Sequence, residues 1–156
     1  MSEPIIEQIA AWIENALEGV QDPDSTITLR SVRPVILNWA DLELIHGDVI
    51  IEQASGNTES RRTTSSRTEQ EIFRLNGIVT DLPADTAADT MLNRVRETIR
   101  RTMLAANANG QAMGGLAKNV DCSEYSYEPI DGGVAVVVTC EVMYMTALLD
   151  GYSAPG

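Results

Sequence analysis

The chain has 156 residues, 44% of them hydrophobic, which excludes global disorder and fits one domain with a sizeable core. Its 23 acidic and 11 basic residues leave a formal charge of −12, which excludes a general cationic surface for gripping nucleic acid. No apolar run approaches the ~18 residues of a membrane-crossing helix, and residues 1–20 are acidic and amphipathic, unlike a secretory leader.

Residues 4–19 predict a long helix. Pro4 stands near its first turn, where a missing N–H does no harm, and Gly19 is a stop signal. Ile6, Ile9, Ile13, Ala16, Leu17 and Val20 recur at helical spacing, with Glu7, Glu14, Asn15 and Glu18 between them. Residues 22–25 read as a loop and 26–30 as a short strand, which Arg33-Pro34 breaks. Residues 35–39 carry no assignable pattern, 41–44 read as a strand or a turn, and 46–48 as a turn. His46 has no Cys or second His nearby and reads as structural.

Residues 48–53 and 71–82 read as strands. Between them, residues 54–68 hold no large apolar side chain and cannot bury themselves. Strands on both sides predict a long protruding hairpin whose tip is an extended arm, mobile in the free subunit and ordered by a partner. Arg61, Arg62 and Arg67 lie in it, with Glu59, and Glu69 just beyond.

Leu82-Pro83 ends the strand, and residues 85–107 predict the second long helix. Thr86 to Asp89 is a loose capping box, and Ala88, Leu92, Val95, Ile99 and Met103 form the apolar stripe. Arg94, Arg96, Arg100 and Arg101 place four cations on this helix, with Glu97 one turn before Arg101. Asn109-Gly110 and Gly114-Gly115 read as a flexible linker.

Residues 122–146 predict a hairpin about the Asp131-Gly132 turn. Its second strand is apolar on both faces from Val134 to Met145, the pattern of a central strand. A two-residue turn sets Tyr127 opposite Val136 and Tyr125 opposite Val138, with Glu124 and Glu128 on the other face. The same register puts Cys140 opposite Ser123, so the thiols of Cys122 and Cys140 point to opposite faces and read as free; a one-residue bulge would bring them to one face. Residues 153–156 read as a loose tail.

The chemistry of a site is missing from the sequence. There is no phosphate loop, nucleophile elbow or His-Glu-x-x-His, and Glu124, Glu128 and Glu141 read as solvated strand carboxylates. The chain is therefore expected to be no enzyme and to need no cofactor or metal.

The order of elements, ending in Tyr144-x-Thr146 and Asp150-Gly151-Tyr152, resembles the tail terminator (tail completion) proteins of long-tailed phages. Gly151 stands where those proteins often have Pro. The resemblance implies a single α+β domain over residues 1–156, with two long helices packed on a mainly antiparallel sheet. It implies a hexameric ring that caps the head-proximal end of the tail tube, stops its growth and meets the head connector, while DNA slides through an acidic or neutral lumen. The chain would then belong to the virion and assemble in the host cytoplasm. Arg61, Arg62, Arg67, Glu59, Glu69 and Tyr152 are the expected assembly-interface residues. The alternatives are another head–tail connector or tail-tube component, or a small enzyme or ligand-binding α+β domain.

Overall fold

A computed structural model describes residues 3–34, 43–62, 66–80, 86–108, 111–147 and 150–155, with 57–62, 108 and 111 as backbone alone. Two helices, α1 (Ile5–Leu17) and α2 (Ala88–Leu104), lie on one face of a five-stranded sheet. The strands are β1 (Arg30–Val32), β2 (Asp48–Arg62), β3 (Ser66–Val79), β6 (Asn119–Ile130) and β7 (Gly133–Ala147), in the order β1-β2-β3-β7-β6. A separate two-residue pair, β4 (Asn107–Ala108) with β5 (Gln111–Ala112), precedes β6.

The fold is α+β, but the expectation of long helices is overturned: α1 has 13 residues and α2 has 17. Pro4 has extended backbone and sits outside α1. At the other end Glu18 is extended and Gly19 takes φ +76°, donating its N–H to Leu29 O at 2.9 Å. The second helix starts after an extended Ala87, with no side-chain cap, so the Thr86 capping box is not used. It stops at Leu104 because Asn107 is claimed elsewhere. The Asn107 amide donates to Val120 O at 2.7 Å and its oxygen accepts Val120 N–H at 3.0 Å. Of the linker expected at Asn109-Gly110 and Gly114-Gly115, residues 109–110 lie outside the described residues, and the exposed Gly114 and Gly115 are flanked by core side chains, Ala112, Met113 and Ala117 being buried.

The sheet is mixed. β1 joins β2 in parallel and every other pair is antiparallel. The protruding arm is also revised. β2 runs to Arg62 and β3 starts at Ser66, so most of 54–68 is strand. β3 pairs with β7 along its whole length, down to Ser66 opposite Ala147. Small polar residues are ordered here by ladder hydrogen bonds rather than by apolar side chains, and Ser66 and Thr68 are buried. The strand expected at 26–30 is displaced to 30–32. Residues 35–39 and 41–42, read above as unpatterned and as part of a strand or turn, lie outside the described residues.

The expected hairpin register holds: Tyr125 faces Val138 and Tyr127 faces Val136. β7 lies between β3 and β6, as its apolar run predicted. Val136, Val138, Cys140, Val142 and Tyr144 point under the helices, where Ile9, Ile13, Leu17, Val95, Ile99 and Met103 close the main core. Burying side chains of this size contributes about 1.5–3 kcal/mol each. On the opposite face a small cluster of Ile50, Ile78 and Ala135 is covered by Val32, Leu44 and Ile130. His46 has the structural role expected of it, accepting Thr80 N–H on Nδ1 at 3.2 Å.

Candidate assembly surface

One expected interface residue anchors a cluster where β3 and β7 end together. Arg67 pairs with Glu69 at 2.7 Å and donates from Nε to Thr146 Oγ1 at 3.1 Å. Residues two apart on a strand share a face, and the register brings Thr146 beside them. The guanidinium also reaches the C-terminal turn near Gly151. Asp150 fixes this turn by accepting Tyr152 N–H and the Ser153 hydroxyl, contacts that hold its carboxyl below the usual aspartate range. Tyr152 is exposed. Next to Glu69, Tyr144 is buried. Desolvation, with Glu69 and Glu71 nearby, pushes its phenol up to about 12. So Arg67, Glu69 and the Tyr152 turn meet in one place. Glu59, Arg61 and Arg62 lie on the strand paired with β3, and their side chains fall outside the described residues.

A second cluster joins α2 to β6. Arg96 lies over the Tyr125 ring at 4.4 Å and donates to the Tyr127 hydroxyl at 2.7 Å. The two tyrosine rings meet edge to face at 6.0 Å. Arg100 is 5.7 Å from the Tyr125 centroid and donates to Cys122 O at 3.1 Å. Burial works against the Arg96 charge, but its bonds to Tyr127 and Glu97 outweigh it and raise its pKa. Glu97 pairs with Arg96 and Arg100, not with Arg101 as its spacing predicted. Sequence reasoning had each half of this cluster, four arginines on a helix and two tyrosines on one strand face. The missing link was that α2 crosses β6.

The bulge alternative applies to the cysteines. Asp121 pairs with Glu141, whereas Glu124 pairs with Thr139, so one extra residue sits in β6. It turns Cys122 to the helix side, where it forms a disulfide with Cys140. The free-thiol reading is thereby corrected.

The helix-free face of the sheet has a different character. Glu52, Asp121, Glu124, Glu128 and Glu141 share it by register with Arg74 and with uncharged Gln70, Asn76, Ser126 and Thr139. Hydrogen bonds from Asn76 to Glu52 and from Gln70 to Glu141 fix two of these carboxylates. On the helix side, Arg94, Arg96, Arg100 and Arg101 surround Glu97. An open groove of 850 Å³ runs along α2, lined by Asp22, Pro23, Arg94, Arg101 and Leu104. Its buried carboxylate is used internally: Asp22 accepts Thr26 N–H and hydroxyl at 2.6 Å and Ile27 N–H at 2.9 Å. Among the described residues no His, Cys, Asp and Glu are grouped as metal ligands would be.

No family model and no curated protein matches this chain.

Proposed function

We propose that this chain is a structural subunit that closes into a ring at the head-proximal end of a phage tail tube, as the tail terminator proteins it resembles do.

 The stoichiometry implied by the resemblance is six. The partners would be copies of itself, the tube protein and the head connector, with DNA passing through the lumen unbound and the finished ring resident in the virion.

One observation carries the reading: the helix-free face of the sheet is predominantly acidic. The helix-free face collects Glu52, Asp121, Glu124, Glu128 and Glu141 around Arg74, with the Arg30–Asp48 ion pair at its β1 edge. A wall of carboxylates repels phosphate and keeps a passing duplex mobile. The Arg67–Glu69–Tyr152 corner supplies a second, distinct surface, and a closed ring with head-to-tail contacts needs two different surfaces on each subunit.

The test is the solution mass of the purified protein by light scattering over a range of concentrations, with and without tail tubes, followed by negative-stain imaging. The reading expects a mass of about six chains and particles with a central hole. A strict monomer that never associates with tubes would overturn it.

A further inference from the structure

We infer that copies of this chain join by strand addition, the outer edge of β6 in one copy pairing antiparallel with the open part of β2 in the next. This inference rests on the ring reading and specifies its contact.

Among the described residues, part of each edge of the sheet carries no pairing strand. β2 has 15 residues, and β1 covers only its first three, Asp48 to Ile50, which leaves twelve. β6, at the opposite edge, has 12 residues; Asn107 already bonds Val120 N–H and C=O and Arg100 the Cys122 carbonyl, so its unclaimed stretch lies from Glu124 to Ile130. Among the described residues no strand pairs with either stretch from outside. Such edges present unpaired N–H and C=O groups in a row.

Strand direction fits as well. From β2 through β3 and β7 to β6 every pair is antiparallel, so β2 and β6 run in opposite senses. A copy related by rotation about a ring axis therefore brings its β2 alongside β6 in antiparallel sense. The alternation continues unbroken across the junction, and the acidic face stays on one side of the extended sheet.

The edge of β6 also selects its partner. Ile130 and Gly133 close the two-residue turn, so they form a hydrogen-bonded pair, and such pairs alternate along the ladder. Glu128, Ser126 and Glu124 then bond to β7, whereas Tyr127 and Tyr125 turn their N–H and C=O groups outward. Pro129 falls in the outward set, where its missing N–H costs no ladder bond. Pro129 at one end and the bulge before Glu124 at the other confine the open stretch to a short window. Two β6 edges pairing with each other would set Glu124 and Glu128 among like charges. The open edge of β2 offers Gln53, Ala54, Ser55 and Gly56, small or uncharged and exposed.

The experiment compares Tyr127→Pro with Tyr127→Ala. Both lose the phenol and its contact with Arg96, but only the proline removes the outward N–H. Thermal melts and circular dichroism establish that both are folded. The alanine variant is expected to assemble, and the proline variant to remain monomeric. Amide exchange of the unmodified protein is the second arm. On assembly, the amides of Tyr125 and Tyr127 and those of residues 51–62 should slow together, by roughly 100-fold or more. Equal assembly of the two variants, or rings in which these amides exchange as in the free chain, would overturn strand addition and leave the ring reading standing. Protection of β6 only when a different virion protein is added would overturn the choice of occupant. Absence of any ring would defeat both.

Discussion

Cys122 and Cys140 face each other across β6 and β7 with their Cα atoms 4.4 Å apart, and the extra residue in β6 is what turns them to the same side. The bond ties the edge strand to the core strand beside it. It closes a loop with a sequence separation of 18. A cross-link of that span stabilises by about 3 kcal/mol, chiefly by restricting the unfolded chain. Urea unfolding with and without a thiol reductant should show that loss. A Cys122→Ala/Cys140→Ala variant should start at the lower stability and be indifferent to the reductant.

Gly77 lies directly beneath Val95 and Ile99 of α2. A methyl group placed there would stand 2.5 Å from Val95 Cγ1 and 3.1 Å from Ile99 Cδ1. Val95 is β-branched and buried, so it has little freedom to withdraw. Gly77→Ala should cost about 1–3 kcal/mol by overpacking. Adding Val95→Ala should recover part of the loss, and a double-mutant cycle on urea midpoints measures how much.

Asp22 organises the turn between α1 and β1. Its desolvation favours the neutral acid, but the Thr26 hydroxyl and the Ile27 and Thr26 amides more than offset this and lower its pKa. A depressed carboxylate contributes stability above its unfolded pKa and loses it as pH falls through the folded one. The contribution should therefore be complete at pH 7 and fade below about pH 4. Asp22→Ala should lose about 2 kcal/mol at pH 7, the scale of charge-assisted bonds in a buried site. Its difference from the parent should shrink in the acid limb of a stability–pH profile.

Tyr144 gives the opposite limb. Its phenol is raised to about 12, first by desolvation and then by Glu69 and Glu71. The unfolded chain ionises this group near pH 10, whereas the folded one keeps the proton. Stability should fall between pH 10 and pH 12, on the order of 2 kcal/mol from this group alone. Tyr144→Phe should remove that component. Absorbance titration of the parent should show one phenol ionising later than the rest.

The hairpin was legible because Asp131-Gly132 fixes the turn, and the turn fixes which residues face each other. Both amphipathic helices were legible from their apolar spacing, but their ends were not. A stop imposed by Asn107 reaching to Val120 is a tertiary event with no local signature. The 54–68 stretch misled because side-chain composition says what a segment can bury, not what its backbone can pair with. Ser66 and Thr68 are ordered because β7 extends to Ala147 beside them. The bulge in β6 likewise leaves no mark in composition. Among the expected interface residues, Arg67 and Glu69 share a face by strand spacing alone, whereas their meeting with Thr146 and the Tyr152 turn depends on a partner strand far along the chain.

The amide of Ile5 donates to the carbonyl of Gly151 at 3.1 Å. The start of α1 is thus held by a group 146 positions later, and β3 finds its long partner β7 only after α2 has been made. During synthesis the first half of the sheet must wait with one side of β3 uncovered. Such non-local pairing is slow and leaves strand edges available to the wrong neighbours. Folding of this chain should therefore complete only after β7 has left the ribosome, and the vulnerable interval runs from the emergence of β3 to that of β7.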